Sequence, residues 1–341
     1  MASKYASLFT SPKGPGDARP TALQIVNDEG LTGKLSDKVF LITGCSSGIG
    51  VKTARALATT GAKLFLTARN IPAAEETLRD ILEPGRVELL QMDLSSLASV
   101  RSATKDFLSR SKTLNVLICN AGVMAIPSPG TTTVDGFETQ FGTNHLGHFL
   151  LFNLLKPTLL ASSTPTFNSR VVMVSSSAHR GGGIRFGNYD FKSGPENYTP
   201  WGGYSQSKTA NIYMANEIER RYGSKRLHAT SLMPGSILTR LTKHLDPKVV
   251  QAFPTHERLK NILMTPEQGA ATTVWAAIGV EWENKGGVYL ENCQVAPLHP
   301  DPNDQGDIPH IPGYAKHAYD QENEGRLWAD SLKMVGLEES E

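Results

Sequence analysis

The chain has 341 residues, with 34 Lys and Arg against 33 Asp and Glu, a formal net charge of +1, and 39% hydrophobic residues. That length suits one α/β domain with extensions, and the balanced charge gives no whole-chain field for nucleic acid or an anionic membrane. No run of about 18 apolar residues predicts a membrane span, Met1–Ala6 lacks the features of a secretory signal, and Cys45, Cys119 and Cys293 show neither pairing nor metal-ligand spacing, so a reducing, cytoplasmic setting is expected.

Residues 1–36 precede the first strand. Ser11–Gly16 is turn-rich, and Thr21–Asn27 reads either as a short helix docked on the body or as part of a disordered tail. Lys38–Ile42 is a short apolar run that predicts a buried parallel strand. It leads into Thr43-Gly44-Cys45-Ser46-Ser47-Gly48-Ile49-Gly50, after which Ile49, Ala54, Leu57 and Ala58 recur at helical spacing up to Gly61. A strand, a glycine turn, a helix and a second strand at Lys63–Ala68 together predict a dinucleotide site. Its turn residues Gly44, Ser46, Ser47, Gly48, Ile49 and Gly50 bring a helix N-terminus to the pyrophosphate.

The second strand ends at Arg69-Asn70, where the adenosine ribose of a dinucleotide is expected. No acidic side chain waits there for a ribose 2′-hydroxyl. Arg69 offers a fork of donors suited to a 2′-phosphate, so NADP(H) is expected in preference to NAD. A helix is predicted over Ala73–Leu82, a break at Pro84-Gly85, and a strand over Val87–Met92 closed by Asp93-Leu94. Asp93 reads either as an acceptor for the adenine amino group or as a cap for the helix that follows over Leu97–Leu108. Leu114–Ile118 is the fourth strand and runs into Cys119-Asn120-Ala121-Gly122, small residues that let a cofactor lie against the backbone. Asn120 can also tie neighbouring strands together.

These motifs resemble the short-chain dehydrogenase/reductase family. Thr43–Gly50 matches its TGxxxGxG pattern, and Cys119–Gly122 resembles its NNAG motif with Cys in the first place, a substitution shared with a retinol-dehydrogenase-like branch. The resemblance covers residues 37–295 and extends to reductases of secondary metabolism. It implies a Rossmann-type, doubly wound, mostly parallel seven-stranded sheet with helices on both faces. The domain would span 37–296, with a substrate lid at about 240–264 and extensions at 1–36 and 297–341.

The same resemblance assigns a catalytic set. Asn144 would hold a helix kink and a water bridging to a lysine; His145 and His148 beside it have no carboxylate or cysteine company, so no metal is expected. Arg170–Val174 predicts the fifth strand, and the second serine after it, Ser176, would bond the substrate oxygen. In Tyr204-Ser205-Gln206-Ser207-Lys208, residues four apart share a helix face. The Lys208 ammonium is expected to lower the Tyr204 pKa from its usual ~10, so that Tyr204 can pass a proton; by analogy Lys208 also grips the nicotinamide ribose. The Ser177–Gly203 connection is loop-rich and carries Phe186, Tyr189, Phe191, Tyr198 and Trp201, which either wall a hydrophobic pocket or pack beneath a surface flap.

Leu227–Leu232 is the sixth strand, followed by Pro234-Gly235-Ser236-Ile237-Leu238-Thr239. This matches the family's PGxxxT segment, in which Pro234, Gly235, Ile237 and Thr239 would meet the nicotinamide. The lid would carry Leu241, Leu245, Phe253, Leu259 and Leu263. A helix from Thr265 and a last strand over Gly286–Leu290 follow. The tail is turn-rich at Pro300, Pro302, Pro309 and Pro312, then amphipathic at Leu327, Trp328, Leu332 and Val335. That end would pack on the core, cover the lid or meet a second subunit, family members often being dimers or tetramers. The expected activity is NADP(H)-dependent hydride transfer to or from a carbonyl/alcohol pair on a medium-sized lipophilic substrate. A non-redox isomerase or cyclase, or a non-catalytic nucleotide-binding protein, are the alternatives.

Overall fold

In the computed structural model, which describes residues 3–127, 131–192, 197–257, 259–300 and 311–338, β-branched and aromatic runs become strands buried on both faces. They are β1 (Val39–Ile42), β2 (Lys63–Ala68), β3 (Val87–Gln91), β4 (Val116–Cys119), β5 (Ser169–Val174), β6 (Leu227–Met233) and β7 (Val288–Glu291). The order is β3-β2-β1-β4-β5-β6-β7, every neighbouring pair parallel. The count of seven is corrected by an eighth strand, β8 (Gln294–Val295), antiparallel to β7. Its two-residue turn is Asn292-Cys293, both at positive φ (55° and 51°), a geometry that usually calls for Asn-Gly and so left little signal.

Alternate strand residues face opposite layers. Leu41, Phe65, Leu117, Val171 and Met173 join the core under helices Leu97–Arg110 (α4), Gly147–Ser162 (α5), Pro200–Tyr222 (α6) and Gln321–Met334 (α8). Phe40, Ile42, Leu64, Ile118 and Val172 join the core under Ala22–Asp28 (α1), Ile49–Ala58 (α2) and Ala271–Ile278 (α7). Helix Ile71–Leu78 (α3) starts earlier than expected because the Asn70 side chain caps Ala73 N–H at 3.0 Å and Pro72 fits the first turn. Helix α6 also starts early, at Pro200 after the Thr199 cap, so Gly202 and Gly203 are helical and not loop.

Both extensions are built into the body. Helix α1 is capped by Thr21 and buries Ile25 and Val26 completely, which is the docked-helix alternative. At the other end Leu327, Trp328, Leu332 and Val335 are buried in the same chain's core. Of the tail prolines, Pro302 and Pro309 lie outside the described residues. The strand order reverses direction between β1 and β4, the place where open α/β sheets leave a crevice at their carboxyl ends.

Candidate active site

At that crevice the turn after β1 closes against the end of β4. Gly44 has φ +75°, and a Cβ there would lie 2.8 Å from Ala121 Cα. A Cβ on Gly50 would collide with the Gly44 carbonyl and lie 2.6 Å from Asn120 Nδ2. Bare backbone at both positions makes a cradle with the start of α2 behind it, and Thr239 packs beside Gly48. Ser46, Ser47 and Ile49 line this turn, half-buried. Asn120 takes the strand-tying role: its Nδ2 donates to the Thr43 carbonyl at 2.8 Å. Asp93 binds Ser95 N–H at 2.9 Å and its hydroxyl at 2.7 Å, while Ser96 caps α4. Arg69 and Asn70 are exposed at the end of β2, and the Arg69 guanidinium has no hydrogen-bond or ion-pair partner among the described residues.

The residue that organises this turn was not singled out in the sequence. Thr43 Oγ1 accepts from the N–H groups of Asn120 and Ala121, each at 2.9 Å. It also lies 2.9 Å from His148 Nε2, while His148 Nδ1 donates to the Asn144 carbonyl at 2.9 Å. Those contacts require an imidazole that accepts at Nε2, with Thr43 donating. Burial pushes the His148 pKa down to about 4, so it stays neutral. His145 is likewise buried and neutral, and bonds Ser331 of α8 at 2.8 Å. Among the described residues no three His, Cys, Asp or Glu side chains cluster as metal ligands. Replacing His148 with Phe removes the ring's bonds to the Thr43 hydroxyl and the Asn144 carbonyl, leaving Thr43 only the long 3.4 Å contact to the Ile118 carbonyl as an acceptor; an expected loss of about 1–3 kcal/mol is checked by urea unfolding.

Of the expected catalytic set, Asn144 and Lys208 meet at Gly122, and Tyr204 lies beside Lys208. Asn144 sits in a π-helical turn, Gly142–Leu146, and is fully buried. Its Oδ1 accepts from Val123 N–H at 2.8 Å, and its Nδ2 donates to Val123 O at 2.9 Å and to Ser207 Oγ at 3.0 Å. A Cβ on Gly122 would lie 3.3 Å from Asn144 Oδ1 and 3.5 Å from Lys208 Nζ, so any side chain there would crowd both. Lys208 Nζ donates to the Val174 carbonyl at 3.0 Å and lies 5.5 Å from the centre of the Tyr204 ring. Of the paired serines, Ser175 turns inward and donates to the Lys208 carbonyl at 2.8 Å. Ser176 is the one close enough to Tyr204 to lower the phenol's pKa, while its oxygen accepts from Ala178 N–H at 3.1 Å.

The electrostatics correct one expectation. Burial raises the Tyr204 pKa to about 12, more than the Ser176 hydrogen bond lowers it. The same desolvation brings Lys208 down to about 8. At neutral pH the phenol therefore holds its proton and Lys208 is mostly charged, the states needed to donate a proton to an oxygen gaining negative charge.

Met124 and Ala125 pack on Tyr204, with Ala178 and Leu245 against them, an apolar lining beside the phenol. Trp201, half-exposed, sets its edge toward Tyr204 with ring centres 6.0 Å apart. The other aromatics of the long connection turn away. Tyr189 stacks on Phe141, Phe191 packs on Tyr198, and Tyr198 OH donates to the Ile126 carbonyl at 2.7 Å. Only Trp201 fits the wall reading; for the rest the packed-flap alternative holds.

Segment Arg240–His244 is a 3-10 turn and Pro247–Ala252 a short helix, with Leu238, Leu241 and Val249 exposed. The far end of the segment is tied down. Met264 N–H donates to Ser236 O at 2.9 Å, within the Pro234–Thr239 stretch. Arg19, buried in the N-terminal extension, donates to the carbonyls of Ile262 (2.9 Å) and Leu263 (2.6 Å) and pairs with Asp17 at 2.8 Å. Sequence patterning had no means to find this link, since Arg19 lies 244 positions from Leu263. Arg19→Ala leaves those carbonyls buried without a donor, so trypsin is expected to cut after Arg240 or Lys243 at least about fivefold faster, read by mass spectrometry of the fragments.

No helix among the described residues is long and apolar enough to cross a membrane. The family profile described as short chain dehydrogenase matches residues 38–190. "Short-chain dehydrogenase/reductase prx1" of Penicillium roqueforti is 51% identical over 98% of this chain and 96% of its own length. "Polyprenol dehydrogenase" of Homo sapiens is 35% identical over 88% of this chain and 86% of its own. A crystal structure of an uncharacterised Mycobacterium paratuberculosis protein is 31% identical and superposes with a TM-score of 0.65, covering 88% of this chain and 94% of that one.

Proposed function

The chain belongs to the short-chain dehydrogenase/reductase family of oxidoreductases, and within it we propose an NADP(H)-dependent reductase of a medium-sized lipophilic ketone or aldehyde. The observation that carries this reading is the buried Tyr204 phenol, with Lys208 Nζ 5.5 Å from its ring centre and an apolar lining in front. The cradle of Gly44, Ser46, Ser47, Gly48, Ile49 and Gly50 fits a pyrophosphate, since the backbone is bare at Gly44 and Gly50, where a Cβ would collide with backbone. In this proposal Arg69 and Asn70 hold the adenosine end, Asp93, Leu94, Asn120, Ala121 and Gly122 line the base and ribose, and Pro234, Gly235, Ile237 and Thr239 meet the nicotinamide. The bound dinucleotide supplies the hydride.

The protein's own part is proton handling and orientation. Ser176 holds the carbonyl oxygen and Tyr204 donates its proton as the alkoxide forms. The Lys208 charge stabilises the phenolate left behind, and Asn144 fixes the backbone at Val123 behind the site. The lipophilic substrate class rests on Met124, Ala125, Ala178, Leu245 and Trp201, and a relative whose name is polyprenol dehydrogenase agrees with it. The segment 240–264 would close over the substrate.

The test is absorbance at 340 nm with NADPH and NADH against a panel of lipophilic ketones, aldehydes and their alcohols. Carbonyl-dependent oxidation of NADPH supports the reading. Product formed without stoichiometric cofactor consumption would move it to an isomerase or cyclase on this scaffold.

A further inference from the structure

The C-terminal extension reaches the catalytic serine through one imidazole. His179 is fully buried three residues after Ser176. Its Nδ1 lies 2.6 Å from the Ser176 carbonyl, and its Nε2 accepts the backbone N–H of Ala315 at 3.0 Å. The two contacts fix one tautomer, Nδ1–H donating and Nε2 accepting. A backbone amide directed at a ring nitrogen leaves no freedom for the ring to turn over.

The tail itself is held firmly at this point. His317 Nε2 donates to the His179 carbonyl at 3.0 Å, and Arg180 donates to the Ile311 carbonyl at 2.8 Å. The same carbonyl of His179 accepts from Thr209 at 3.3 Å, one residue beyond Lys208 on α6. Tyr213 and Asn216 of α6 bind the carbonyls of His317 and Ala318. Residues 311–318 are thus pinned to the helix that carries Tyr204 and Lys208, and His179 spans from them to Ser176.

We propose that His179 is a positioning residue: it couples the docked C-terminal extension to the Ser176 carbonyl and so aims the Ser176 hydroxyl at Tyr204 and the substrate oxygen. This rests on the reductase reading of the site. Ser176 has extended backbone, and the only side chain bonded to its carbonyl among the described residues is His179. Without that bond the Ser176 carbonyl keeps only the backbone N–H of His179, at 3.1 Å, within the same turn and has no tie to the tail, and a hydroxyl misplaced by about 1 Å is enough to lose much of its effect.

The experiment uses the full chain and two routes to the same break. His179→Ala removes the imidazole. Ala315→Pro removes the N–H that the ring accepts and sets the proline Cδ in its place, breaking the contact from the tail side, and Ala315 already has φ −73°, which proline adopts. Expected losses in kcat are about 10–100-fold for His179→Ala and about fivefold for Ala315→Pro, with NADPH affinity unchanged. In a Ser176→Ala background each should have less than about a twofold effect, because the group it positions is gone. Losses that multiply in that background overturn the proposal.

Hydrogen–deuterium exchange gives a readout that needs no turnover. In Ala315→Pro, peptides covering 174–182 and 311–319 should both exchange faster while 39–50 stays unchanged. A tail that loosens without the 174–182 segment overturns the coupling. If the two loosen together in a chain that oxidises no NADPH with any carbonyl tested, the coupling stands and the reductase reading fails.

Discussion

Tyr204→Phe is expected to lower NADPH-dependent reduction of a lipophilic ketone by about 10³-fold or more and to leave NADPH binding within about threefold. The phenyl ring refills a fully packed site, so folding is preserved, but the proton donor beside Ser176 is gone. Single-turnover absorbance with NADPH fluorescence titration separates the two effects. A variant that retains a tenth of the activity would remove Tyr204 from the chemistry. The lysine behind it makes a linked forecast. Burial brings Lys208 from 10.5 down to about 8, so the native state binds fewer protons than the unfolded chain between those values. This contribution to stability therefore rises with pH from about 8 to 10.5. Lys208→Met should flatten that part of the profile in cofactor-free protein, measured as Tm against pH.

Arg69→Ala is expected to raise the KM for NADPH by about 10–100-fold and to change that for NADH less than about threefold. The range corresponds to one or two charge-assisted hydrogen bonds to a 2′-phosphate. Arg69 stands exposed at the end of β2 without a partner among the described residues, so its removal leaves no buried group there unsatisfied and no loss of fold is expected. Equal changes for the two cofactors would mean that Arg69 only stacks on the adenine or points to solvent, and the proposed NADP preference would lose its support. Steady-state kinetics with both dinucleotides decides it.

Local pattern carried most of the nucleotide half of the molecule. The apolar runs of β1, β2 and β4, the glycine turn and the Tyr204–Lys208 pair are statements about neighbours within about eight residues, where strand burial, helix periodicity and turn sterics act directly. The alternating partition of Leu41 and Phe40, or Ile118 and Leu117, between two cores follows from the same rule. Distances in sequence mark where legibility stopped. Thr43 bonded to His148, Arg19 to Leu263 and His179 to Ala315 are links across 105, 244 and 136 positions. No periodicity encodes them, because each depends on where the sheet brings two chain ends.

The sign of the Tyr204 shift was also beyond the sequence. Lysine four residues on argues for a lowered pKa, yet the desolvation that outweighs it is set by how fully α6 is buried beneath the rest of the fold. The sequence by itself determined the family, the class of fold and the glycine turn after β1. The tertiary structure alone decided that both extensions pack on the domain, and that burial raises the Tyr204 pKa. Hydrogen bonds between remote backbone groups and the dielectric around a buried charge are properties of the packed chain, and only the packed chain could supply them.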